Sequence, residues 1–264
     1  MGDWLFNLPV FPMAAIILGA IYLATAALYY AIMRLGTGER ARAFKAISPG
    51  MLPPLSVVFA LLVGFLAAQV WSDSDRAGAA VHHEASAIRA VVLLAAAFPG
   101  EPEARLRELM RDHVREVVSD EWPAMVRRNV TLALAPQRLV EALHIAIALP
   151  APAPGQVAAQ RELVSALEGA LEARRQRIIL SRTSVNWIKW TVLLLQAGLM
   201  LITIAMVHID NPLANRIILG IFATSVGVAV VLIAAHSRPF AGGLAVSPTY
   251  LLQVAPETGM TARR

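Results

Sequence analysis

No cysteine occurs among the 264 residues. A disulfide framework, a thiol nucleophile and a thiolate metal site are therefore excluded. Charge is absent from long tracts: Phe11–Met33, Pro53–Trp71, Trp187–His208 and Ile217–His236 together hold one formal charge, Lys189. None of these tracts contains a carboxylate, the usual mark of proton or ion coupling inside a membrane, which argues against a proton-driven pump. A passive channel stays open, because a pore constriction can be wholly apolar. No glycine-rich phosphate loop, nucleophile elbow or HExxH is present, so the chain is not read as an enzyme and no cofactor is expected.

The composition is that of a membrane protein. Apolar residues make up 57% of the chain, and the mean hydropathy is +0.60. About 20 apolar residues at 1.5 Å each cross a hydrocarbon layer of about 30 Å, and each of the four tracts is long enough. The first has no basic segment before it and is too long for a signal-peptide core, so it reads as a retained anchor. Net charge is +5. In a membrane protein, basic residues reflect topology and lipid headgroups rather than nucleic-acid binding. The Ala- and Arg-rich composition points to a bacterial coding sequence, hence to a bacterial inner membrane.

Between the second and third tracts lie residues 72–186, of mixed charge. Their apolar spacing is helical throughout: Ala77, Val81, Ile88, Val91, Ala95 and Phe98 form one seam, with Glu84 holding the step between Val81 and Ile88. A second helix over 103–125 carries Leu106, Met110, His113 and Val117 on one face; a third covers 137–149. A fourth begins near Gln156 and is expected to run unbroken into span three, with Arg174 interrupting its seam. The fold class is an all-α membrane protein: four transmembrane helices with a helical-bundle extramembrane domain inserted between spans two and three. The expected parts are a hairpin 1–71, the bundle 72–186, a second hairpin 187–236 and a tail 237–264.

Short loops weigh most in the positive-inside rule. The first ten residues hold no basic side chain, whereas the loop after span one holds Arg34, Arg40, Arg42 and Lys45. This favours an extracytoplasmic N-terminus and helical domain; Arg174, Arg175, Arg177 and Arg182 before span three weigh the other way.

Candidate functional residues are few. Ser56, Phe59, Val63, Leu66 and Val70 share one face of span two and could line a pore gated by dewetting, with ordinary helix packing as the alternative. Asp73, Asp75 and Arg76 follow the span as candidate pore-mouth charges. His82-His83-Glu84 has metal-ligand chemistry, but adjacent helical residues point about 100° apart, so no metal site is expected. His113 on an apolar face reads as a bonded core histidine. Glu84 and Arg174 stand 13 residues from Trp71 and Trp187 respectively, and equal height on antiparallel helices suggests a buried ion pair; the alternative is that Arg174 snorkels to water and Glu84 bonds elsewhere, as to His113.

Several segments resemble the bacterial bestrophin-like membrane family of unassigned function. They are Val58-Phe59-Ala60, Gly64-Phe65-Leu66, Val70-Trp71 and Glu84-Ala85; Glu121-Trp122-Pro123; and Arg238-Pro239-Phe240, Gly243 and Val246-Ser247-Pro248. Ser237 stands where that family commonly has an aspartate. The resemblance implies four spans, a cytoplasmic helical domain, and a homo-oligomer, pentameric in bestrophins proper, that conducts anions along span two. The partners implied are the lipid bilayer, copies of the same chain and ions. The alternative function is a membrane scaffold or signalling protein whose helical domain binds a partner.

Overall fold

The computed structural model describes residues 3–37, 44, 49–132 and 135–256, with no strand among them. Arg40, Arg42 and Lys45, which carry most of the loop charge, lie outside the described residues. The helices are α1 (Asp3–Phe6), α2 (Val10–Leu35), α3 (Leu52–Leu94), α4 (Glu101–Glu116), α5 (Trp122–Val126), α6 (Gln137–Ala148), α7 (Pro154–Ser181), α8 (Trp187–Val207), α9 (Pro212–His236) and α10 (Thr249–Val254). A wide π-type turn, Val117–Glu121, joins α4 to α5.

Among the described residues, four helical runs are long and apolar enough to cross a membrane: α2, the run Pro49–Ala97 that contains α3, α8 and α9. Helix α3 has 43 residues, about 65 Å at 1.5 Å per residue. That is about twice a hydrocarbon layer of 30 Å, so only its apolar first half can lie in lipid. Local chemistry sets the ends. The side chains of Asn186 and Asn211 accept from the amides of Ile188 and Ala214 at 3.2 and 3.0 Å, capping α8 and α9. Pro212 occupies the first turn of α9, where a missing N–H costs nothing.

The chain divides into two compact units. One takes the residues up to Ser72 with Ser184–Ala245; the other takes Asp73–Thr183 with the residues from Val246 on. The tail read as one segment is thus shared between them.

In the membrane unit, α9 packs against α2 and α8. Its core joins Met13 and Ile17 of α2, Phe59, Leu66 and Val70 of α3, Trp190 and Leu193 of α8, and Val226, Val230 and Ile233 of α9. Gly227 lets α9 approach α2 closely: a Cβ there would come within 2.4 Å of the Leu18 side chain. Ala223, Gly227 and Val230 are buried, so the small-residue stripe of α9 is used inside the protomer. The stripe of α2, Ala20, Ala24, Ala27 and Ala31, is exposed instead. Lys189, the single charge of the four apolar tracts, donates to the Gln69 side-chain oxygen at 2.5 Å. Beyond α9, Gly242 turns with φ +90 against the Phe6 carbonyl, and the Arg238 guanidinium lies 5.0 Å from the Phe6 ring centroid.

In the extramembrane unit the seams of the first two helices are those read from the spacing. Ala77, Val81, Ile88, Val91, Leu106, Met110, His113 and Val117 are all buried. Gln160 closes α6 by donating its side-chain amide to the carbonyls of Ala146, Ile147 and Leu149, each at 3.0 Å. The expected continuous helix from Gln156 into span three is corrected: α7 ends at Ser181 and α8 begins at Trp187. The run Ser181-Arg182-Thr183-Ser184-Val185-Asn186 ends it without Gly or Pro. Ser181 and Thr183 hydroxyls donate to the Ile178 and Leu180 carbonyls at 2.7 Å, competing with the helical ladder.

Candidate functional site

The extramembrane unit has one buried ionic cluster. Glu84 on α3, His113 on α4, Glu121 at the end of the π turn, and Arg174 and Arg177 on α7 converge there. Arg177 Nε donates to Glu84 Oε2 at 2.6 Å, and its Nη2 reaches Glu84 Oε1 at 3.1 Å and Glu121 Oε2 at 2.8 Å. Arg174 donates to Glu121 Oε1 from Nε at 2.7 Å and Nη2 at 2.5 Å. His113 Nε2 lies 3.1 Å from Glu84 Oε1. The Arg177 guanidinium also faces Met125 Sδ at 3.2 Å and stands 5.6 Å from the Trp122 ring centroid.

Two carboxylates therefore face two guanidiniums, with Glu84 and Arg177 both fully buried. Burial by itself pushes a carboxyl up, but the Arg177 charge and the hydrogen bonds from His113 and Arg177 outweigh it and hold Glu84 at about 2. Burial likewise opposes charge on Arg177, and the adjoining Glu84 and Glu121 carboxylates drive it above the usual arginine value. The cluster ties α3, α4, α5 and α7 at one point. Both carboxylates are engaged by the guanidiniums, so the arrangement is that of a clamp between helices.

The expected pair between Glu84 and Arg174 is corrected. Glu84 grips Arg177, and Arg174 grips Glu121. The expectation counted 1.5 Å per residue back from Trp187, but residues 182–186 are not helical and advance further per residue. The partner therefore sits closer to span three in sequence. Arg177 follows Arg174 by three positions, the same helix face, and that spacing was the available signal. Glu121 carried no role in the sequence reading beyond its place in the Glu-Trp-Pro segment. His113 is the bonded core histidine expected. His82 and His83 are exposed, and the His82 ring lies 3.8 Å from that of Tyr250. No cluster of His, Asp and Glu suited to a metal is found among the described residues.

The face of span two assigned to a pore is also placed differently. Phe59, Leu66 and Val70 are buried in the core of the membrane unit, and Val63 packs against it. Ser56 is exposed, with its hydroxyl turned back to the Leu52 carbonyl at 2.8 Å. The protomer's own helices take that face. The opposite face, Val57, Leu61, Gly64 and Ala68, is exposed, and so is Phe65 beside it. On the turns just past the span, Asp73 is half-buried and Asp75 and Arg76 are exposed.

A family model described as a Bestrophin-like domain matches residues 19–251. Among solved structures, a bacterial bestrophin homologue from Klebsiella pneumoniae is similar with a TM-score of 0.64 at 13% identity, covering 93% of this chain and 96% of that one. A single-residue variant of that homologue gives 0.66 at 14% identity, covering 92% and 96%. A variant described only as a membrane protein gives 0.67 at 13% identity, covering 92% and 99%. These likenesses establish a shared fold. Among curated proteins, none matches.

Proposed function

Because this chain belongs to the Bestrophin-like family, we propose that it is a homo-oligomeric ion channel whose conduction path runs along the outer face of span two. The observation that carries this reading is the division of that helix into two faces. One face is spent on the protomer's own core. The other, Val57, Leu61, Gly64 and Ala68, is apolar, small toward its far end and exposed among the described residues. Span two is also the least buried of the four. Copies arranged with these faces inward would enclose an apolar neck able to gate by dewetting. Asp73, Asp75 and Arg76, next along the same helix, are proposed as the charges at its mouth.

A pentamer and anion selectivity are the finer expectations, and family resemblance supports them. Orientation is carried as a proposal from loop charge: N-terminus and helical domain extracytoplasmic. The test is reconstitution in liposomes with particle mass measured in nanodiscs. A homo-oligomer with chloride-dependent reversal potentials is expected. A chain monomeric at every detergent ratio would overturn the proposal. An oligomer sealed to all ions would favour the scaffold reading.

A further inference from the structure

The membrane unit carries a groove whose chemistry matches the lipid around it. It lies between α2 and α9, has a volume of about 210 Å³, and is bounded by Tyr22, Ala26, Tyr29, Tyr30, Arg216 and Gly220. Its floor is open: a Cβ at Gly220 would meet nothing within 4 Å, and Ala26 is exposed. At its deep end the Tyr22 hydroxyl bonds Thr224 at 2.6 Å, and Thr224 donates to the Gly220 carbonyl at 2.7 Å. Those polar tips are satisfied, so the deep end presents apolar surface.

The shallow end is cationic. Arg216 is exposed, four residues into α9 and about 6 Å from its start. Its Nε donates to the Pro212 carbonyl at 3.2 Å, and no carboxylate pairs with it among the described residues. Gly36, just past the end of α2, abuts Ile209, just before the start of α9, so both helix ends meet the same membrane surface. Tyr29 and Tyr30 are then about 8 Å from that end, the depth at which amphipathic rings settle.

We propose that this groove holds one anionic phospholipid, its phosphodiester on the Arg216 fork and one acyl chain lying over Ala26 and Gly220. A guanidinium at the edge of a hydrocarbon layer reaches to the headgroup level and is attracted to a counter-charge there, and its planar donors match phosphate oxygens in pairs. A neighbouring copy's spans would not supply that charge, since the four tracts contain no carboxylate. The surrounding leaflet does. The acyl chain fills a groove that water would wet poorly, and the tyrosine rings wall it on one side.

The test uses the full chain in vesicles of equal phosphatidylglycerol and phosphatidylcholine, followed by native mass spectrometry of the retained lipid. Wild type is expected to retain phosphatidylglycerol over phosphatidylcholine by about fivefold, the factor for one basic residue worth about 1 kcal/mol. Arg216→Gln should bring the ratio to about one, and Arg216→Lys should restore part of it. Gly220→Leu, whose Cβ would meet nothing within 4 Å, puts a side chain into the groove and should lower retention of both lipids. An unchanged ratio in Arg216→Gln, or no preference in wild type, would overturn the site. So would a Gly220→Leu variant that keeps its lipid but changes its oligomer mass, which would give the groove to a second copy. If Arg216→Gln does not fold, Arg216→Lys and Gly220→Leu still decide.

Discussion

Arg177 and Glu84, 93 positions apart in sequence, form a two-point buried ion pair, with Nε to Oε2 at 2.6 Å and Nη2 to Oε1 at 3.1 Å. A dry pair of this kind adds little net stability over a well-packed apolar pair, yet removing one member strands the other. Glu84→Gln should lower unfolding stability by about 3–5 kcal/mol. In thermal double-mutant cycles, the coupling of Glu84→Gln with Arg177→Met should exceed that with Arg174→Met, because Arg174 reaches Glu84 only through Glu121 and Arg177. Equal coupling in both cycles would contradict the assigned partners.

The same carboxylate sets an acid limit. Its folded value of about 2 lies below the ordinary 4.5, so the folded state favours the ionised form. That stabilisation is fully present above about pH 4.5 and is lost as pH falls from there toward 2. The interval corresponds to about 3 kcal/mol. Stability measured against pH should fall across this window in wild type, and Glu84→Gln should lack that component of the slope. Parallel curves for the two proteins would sink the assignment.

Two glycines should differ in cost. At Gly227 an added Cβ meets the end of the Leu18 side chain, which can rotate away; at Gly242 it meets the Phe6 carbonyl oxygen at 2.7 Å with φ at +90. Gly227→Ala is expected to cost about 1–3 kcal/mol by overpacking. Gly242→Ala should cost more, since neither the backbone oxygen nor the left-handed φ can yield cheaply. Detergent melting curves of the two variants give the order directly.

Span two should respond to polar substitution by face. Leu66→Ser, in the protomer core, should cost about 2–5 kcal/mol of stability through cavity and hydroxyl burial and so lower the melting temperature. Leu61→Ser, on the outer face, should leave melting nearly unchanged and raise ion flux in liposomes by wetting the neck. Flux altered by Leu66→Ser and not by Leu61→Ser would restore the pore face first read from the sequence.

Membrane orientation can be read with single cysteines, because the chain has none of its own. Loop charge predicts that Ala153→Cys reacts with an impermeant thiol reagent in intact cells. Labelling only after lysis would give the cytoplasmic domain that the family resemblance implies.

The sequence by itself determined the spans, the inserted helical domain and the seams of its helices. Lipid length and helical period are local properties, visible in runs such as Ile217–His236 and in the steps from Ala77 to Val91. It also marked Glu84 and His113 as charged or polar members of packed faces. Only the tertiary structure decided their partners. Whether Glu84 meets Arg174 or Arg177 depends on where α7 stops, and that stop rests on the hydroxyl contacts of Ser181 and Thr183 rather than on a glycine or proline. Only the tertiary structure, too, decided which side of span two faces the bundle. In lipid both faces of a helix are apolar, so hydrophobicity cannot tell a packed surface from an exposed one; the packing of Phe59, Leu66 and Val70 against α8 and α9 does.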